Sequence, residues 1–155
     1  MEIIQVDTRE KRNDHIVDVL DAANGITVLR SKLPFGDYCN ISRNVFRVVE
    51  RKNSINELCS CLGKQHERFK NELANGHKLG YHFIILIEAE GYTTIEDLKN
   101  WENPFRKKCK RALTGEQLYK ILDAFQRCYN IEVVFTTKEK AGADIIRLLN
   151  TKKSG

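Results

Sequence analysis

Gly36-Asp37-Tyr38-Cys39-Asn40-Ile41, then Ser42-Arg43-Asn44, then Val45-Phe46-Arg47-Val48-Val49-Glu50-Arg51-Lys52 is the stretch on which the fold turns. Its second arm is rich in β-branched and aromatic residues, its first arm is extended after a glycine, and the polar triplet between them has the composition of a turn. The stretch predicts an antiparallel hairpin. With Arg43 and Asn44 as its loop, Asp37 stands as far before the loop as Glu50 stands after it, so the two are direct cross-strand partners at roughly 5 Å between Cβ atoms. Side chains alternate along a strand, so Glu50 and Lys52 project together while Arg51 points away.

Two carboxylates held this close repel unless positive charge sits between them, and hard oxygen donors suit Mg²⁺ or Mn²⁺ rather than zinc. The hairpin therefore carries a candidate divalent-metal site with an ammonium beside it, a set suited to phosphodiester cleavage. Taken alone, an acidic residue two positions before a lysine is a common accident and most charges are solvated surface; only the combination is specific.

Working outward, Ile3-Ile4-Gln5-Val6 reads as a buried strand that delivers Asp7 at its C-terminal end, where α/β folds commonly place their chemistry. Asn13 or Asp14 caps a helix carrying Ile16, Val19, Leu20 and Ala23 that stops at Asn24-Gly25. Ile26 to Leu29 is a short strand, and Leu33-Pro34-Phe35-Gly36 turns the chain into the hairpin. Downstream, Ser54 to Ala74 is helical with a break near Gly63, Asn75-Gly76 to Gly80 is a connection, and Tyr81 to Glu88 is a buried strand. Thr114-Gly115-Glu116-Gln117 opens a helix with a capping box, Ile131 to Phe135 is a last strand, and Lys138 to Leu149 a last helix. This alternation around an antiparallel entry predicts an α/β fold, a mixed sheet flanked by helices.

The 155 residues, 41% of them hydrophobic, suit a single domain over 1–150 with a loose tail at 151–155. A net charge of +5 is compatible with a polyanionic partner but does not identify one. The five cysteines form no paired framework and no signal peptide is visible, so they read as reduced thiols of a cytoplasmic protein. The longest apolar run, Phe83 to Ile87, is too short to cross a bilayer.

Gly36-Asp37 followed by Glu50-Arg51-Lys52, with Val6-Asp7-Thr8-Arg9-Glu10 upstream, resembles the GD…ERK and VDxRE signatures of the XPF family of structure-selective DNA endonucleases. The resemblance continues at Asn56-Glu57-Leu58 and at Ile84-Ile85-Leu86-Ile87-Glu88 and covers nearly the whole chain. It implies a restriction-endonuclease-like fold of the PD-(D/E)xK superfamily, in the stand-alone form that phages and bacteria carry, acting in the cytoplasm of a bacterial or phage-infected cell. It implies hydrolysis of DNA at branched, flap or fork structures in repair or recombination, with 5′-phosphate and 3′-hydroxyl products. Pairing of two nuclease domains into a homodimer is also implied. One position departs: the Asp of the motif's ERKxxxD continuation is Asn56 here, which can ligate but cannot act as a base.

The expected machinery is Asp37 and Glu50 on one or two Mg²⁺ (or Mn²⁺), assisted by Asp7 and the backbone carbonyl of Arg51, with Lys52 either orienting the attacking water or offsetting phosphoryl charge. Arg9 binds the scissile phosphate or pairs with a carboxylate, and Glu10 is a metal ligand or an ordinary surface acid. Lys64 and Arg68 on the helical stretch, and Lys107 and Lys108 in the basic run Arg106 to Arg111, are candidate DNA contacts whose bland alternative is solvated surface. The competing reading is a non-catalytic DNA-binding or partner-binding module on a degenerate nuclease fold.

Overall fold

A computed structural model describes residues 1–151; of the expected tail, 152–155 lie outside the described residues. Six strands form one sheet: β1 (Glu2–Val6), β2 (Ile26–Arg30), β3 (Tyr38–Asn40), β4 (Arg47–Lys52), β5 (His82–Glu88) and β6 (Glu132–Thr136), in the order β2-β1-β3-β4-β5-β6. β1 runs parallel to β2, and β4, β5 and β6 run parallel to one another. Among the described strands only β3 is reversed, pairing antiparallel with both β1 and β4. The sheet is mixed, as the sequence predicts.

Among the described residues, five α-helices cover its two faces: α1 (Asp14–Ala22), α2 (Ile55–Leu62), α3 (His66–Lys78), α4 (Gly115–Tyr129) and α5 (Lys138–Leu149). Strand alternation sorts the core. Val48, Phe83, Ile85 and Ile87 pack with Leu58, Leu73, Leu118 and Leu122 on one face, while Val49, Ile84 and Leu86 pack with Ile16, Leu20, Ile145 and Leu149 on the other. β5 is apolar on both faces because both are covered, and each of its fully buried aliphatic side chains contributes about 1.5–3 kcal/mol.

The helix break near Gly63 falls between α2 and α3, and the capping box at Thr114 starts α4. Asn75-Gly76, expected as a connection, instead lies inside α3, which runs on to Lys78. Packing decides this: a Cβ at Gly76 would stand 2.5 Å from the Phe83 ring, so the glycine is there for close helix-to-strand contact and not for a turn. The hairpin strands are shorter than expected, with β3 ending at Asn40 and β4 starting at Arg47. Asn13 does precede α1, but its side chain donates to the Tyr38 hydroxyl at 3.0 Å and makes no cap.

Candidate active site

The reversed strand brings its own N-terminal end to the C-terminal ends of β1 and β4. Asp37, Asp7 and Glu50 to Lys52 therefore meet at one end of the three central strands. The register pairs Tyr38 with Val49 and Cys39 with Val48, and one further step sets Asp37 opposite Glu50. Asp37 is fastened on both sides, its amide donating to the Val49 carbonyl at 2.8 Å and its carbonyl accepting the Asp7 amide at 2.9 Å. Gly36 makes the close approach possible. It has φ +77°, and a Cβ there would lie 2.8 Å from the Val48 Cβ.

Asp37 accepts the Arg51 amide at 2.8 Å and shares a hydrogen bond with the Glu50 carboxyl. Burial first, then the nearby Glu10 charge, pushes the Asp37 carboxyl up to about 7. Burial and the Asp37 charge likewise hold the Glu50 carboxyl well above the usual range. Burial disfavours charge on the Lys52 ammonium, but Glu50 and Asp37 outweigh it and keep its pKa raised. Its Nζ stands 5.2 Å from the Phe69 ring centroid.

Glu50 and Lys52 open onto a pocket of about 120 Å³ also lined by Cys61, Gln65, Arg68, Phe69 and Glu72. Glu72, on α3, was not anticipated. Burial raises its pKa against the pull of Lys52, Arg68 and Arg9. Nothing in the local sequence marks it, since helix packing alone brings α3 over the end of β4. Arg68, a candidate DNA contact, is exposed at the same pocket.

On the opposite face of β4, Arg51 is 5% exposed. Its Nε bonds Glu10, its Nη1 bonds Glu88 and its Nη2 bonds the Lys11 carbonyl, each at 2.8 Å. The Glu88 oxygen that takes Arg51 also takes His15 at 2.8 Å. Glu10 thus lies against Arg51, tying the loop after β1 to β4 and β5.

Asp7 is 1% exposed and its carboxylate accepts the Leu33 amide at 2.8 Å, the Arg9 amide at 3.2 Å and the Arg9 Nε at 2.8 Å. Those bonds outweigh burial and lower its pKa. Arg9 takes the carboxylate-pairing alternative, although its side chain is still 62% exposed. Among the described residues, no three His, Cys, Asp or Glu side chains form a group able to hold a metal ion. Asp37 and Glu50 are joined near Lys52 by Glu72 from α3, while the Asp7 carboxylate pairs with Arg9.

Asn56 is exposed and lies, with Lys64, in a separate groove beyond α2. Lys107 ends a short 3₁₀ turn, Pro104–Lys107, and Lys108 follows it; both are exposed. None of these reaches the pocket of Glu50.

A family model described as the ERCC4 domain matches residues 6–149. The chain belongs to the ERCC4 domain family. Solved structures with the same fold include XPF from Aeropyrum pernix, with a TM-score of 0.64 and 21% identity over 96% of this chain and 60% of that one. XPF from Aeropyrum pernix in complex with DNA gives 0.66 and 23% over 97% of this chain and 64% of that one. At such identities the likeness establishes the fold, and this chain spans about three fifths of each of those chains. No curated protein matches the chain. Among the described residues, no helix is long and apolar enough to cross a membrane.

Proposed function

We propose that the chain is a divalent-metal-dependent DNA endonuclease acting at branched, flap or fork structures in repair or recombination. The observation that carries this reading is the Asp37–Glu50 pair, hydrogen-bonded across the hairpin with the Lys52 ammonium on the same face. The family membership supports it.

The pair fits a hard cation such as Mg²⁺ or Mn²⁺. Two carboxyl groups stay together without one only by retaining a proton, and a divalent ion relieves the same repulsion while taking the same oxygens. Asp37 and Glu50 would hold it, with the Arg51 backbone carbonyl as a further donor. Bound there, the ion supplies the charge that makes water a usable nucleophile and offsets the developing phosphoryl charge.

The rest falls to the side chains. Lys52 keeps its proton, so its role is electrostatic: Nζ offsets charge on the phosphoryl oxygens as the water oxygen bonds to phosphorus and the bond to the 3′ oxygen breaks. That break leaves a 5′-phosphate and a 3′-hydroxyl. Arg9 keeps exposed nitrogens for a phosphate while Asp7 orients it, and Arg68 offers a second cation at the pocket mouth. Arg51 works through its amide, which fixes the Asp37 carboxylate. In a homodimer, two such sites would face one branched substrate.

The test is a panel of labelled flap, fork, four-way junction, linear duplex and single-stranded DNAs. Cleavage with Mg²⁺ or Mn²⁺ and none with EDTA is expected, and Glu50→Ala and Lys52→Ala should each lose at least about a hundredfold. Wild-type-like cutting by either variant sinks the assignment. Affinity without metal-dependent cleavage would identify a non-catalytic DNA-binding module instead.

A further inference from the structure

A groove of about 640 Å³, well within the size range of small-molecule sites, lies on the far side of α2 from the Glu50 pocket. α2 is shared: Cys61 lines the small pocket, while Asn56, Cys59 and Ser60 line the groove. The two therefore lie about one helix diameter apart, roughly 10 Å. The opposite wall is the segment from Asn103 to Leu113, including Phe105, Cys109 and Arg111.

Phe105 is 64% exposed, and the loop around it is braced. Asn103 accepts the Phe105 amide at 2.9 Å and donates to the Leu113 carbonyl at 2.8 Å, while Arg106 donates to the carbonyls of Lys110 at 3.0 Å and Ala112 at 2.8 Å. The ring is thus held in the open by bonds that close its own loop. Around it, five of the six residues from Arg106 to Arg111 are basic, and Lys64 stands on the α2 side. Glu57 is the one acidic residue on the lining.

We propose that this groove holds an unpaired stretch of the DNA substrate, with a base stacked on Phe105 and its phosphates against Lys64 and Arg111. The proposal rests on the endonuclease reading and extends it, naming the part of a branched substrate that this chain grips. An unpaired strand joins exposed π-faces to one negative charge per nucleotide, which is what an open aromatic ring in a basic rim complements. A duplex hides its base faces inside the stack and would meet only the cations. An apolar peptide would leave the cations unmatched. Asn56 and Ser60 add neutral polar groups able to meet base edges.

The experiment is fluorescence anisotropy of the full chain in EDTA, with a labelled duplex bearing a 3′ or a 5′ thymidine tail and the same duplex blunt. Wild type should bind one tailed form several-fold more tightly than the blunt form. Phe105→Ala should lower tailed affinity by about tenfold and blunt affinity by less than twofold, and Phe105→Trp should retain the preference. Lys64→Glu combined with Arg111→Glu should abolish it. No tail preference, or equal losses on tailed and blunt DNA with Phe105→Ala, overturns the proposal. Mg²⁺-dependent cleavage by wild type is read separately, so cutting without a tail effect rejects the groove and spares the endonuclease reading.

Discussion

Asp37 and Glu50 face each other across the register of β3 and β4 and share a hydrogen bond between their carboxyl groups. Such a bond requires a proton on one of the two, so without metal the pair is a store of protonation. Both pKa values are raised, Asp37 to about 7.

For a carboxyl raised on folding, the stabilising contribution is complete below its ordinary pKa near ~4 and is lost as pH rises through the folded value. The metal-free melting temperature of wild type should therefore fall, relative to Asp37→Asn, between about pH 4 and pH 7. Asp7, Glu2 and Glu132 are shifted downward and act in the opposite sense, which is why the comparison with Asp37→Asn isolates the pair. Mg²⁺, which competes with the proton, should raise the wild-type melting temperature at pH 8 far more than at pH 5. Calorimetric scans at both pH values check this; a metal shift that persists in the Asp37→Asn, Glu50→Gln double variant would refute it.

Arg51 is a buried tie between Glu10 and Glu88. Replacing it with Met leaves both acids without that partner and is expected to cost about 3–5 kcal/mol in urea unfolding. Lys should recover only part, because one ammonium cannot reproduce three directed N–H bonds. Glu50→Ala should behave oppositely and be neutral or stabilising without metal, since it removes one of two repelling acids. Equal stability of the Arg51→Met variant and wild type would show the tie to be idle.

Asn56→Asp restores the carboxylate of the related motif but places it in the groove beyond α2. The Mg²⁺ midpoint for cleavage should be unchanged within about twofold, by the separation of roughly one helix diameter. A tighter midpoint would place residue 56 within reach of the metal.

Much of the acidic pair was legible in the sequence because hairpin register is local. Once Asp37 and Glu50 are counted from one turn, alternation fixes which of Glu50, Arg51 and Lys52 share a face. The order of the strands was not legible, since β1 pairs with both β2 and β3 through contacts no periodicity encodes. The same limit hid Glu72, whose helix reaches the site only by packing. Asp7 and Arg9 stand out in the sequence as candidate site residues, but their mutual pairing was not legible there, because it is completed by the distant Leu33 amide, which the Asp7 carboxylate also accepts. Asn75-Gly76 misled because a glycine chosen for tight packing carries the same letter as one chosen for a bend.

The lone backward strand has a consequence for how the chain can vary. Its N-terminal end brings Asp37 to Glu50, while its far end leads into the tip at 41–46, which meets the opposite rim of the sheet: Ile41 bonds the Ile3 carbonyl and Arg43 pairs with Glu2. Residues can therefore be added to that tip in balanced numbers without disturbing the acids, whereas an odd residue taken into the ladder would swing Glu50 and Lys52 to the other side of the sheet. A change in tip length and a fixed Asp37–Glu50 rim are compatible because one reversed strand, β3, separates them.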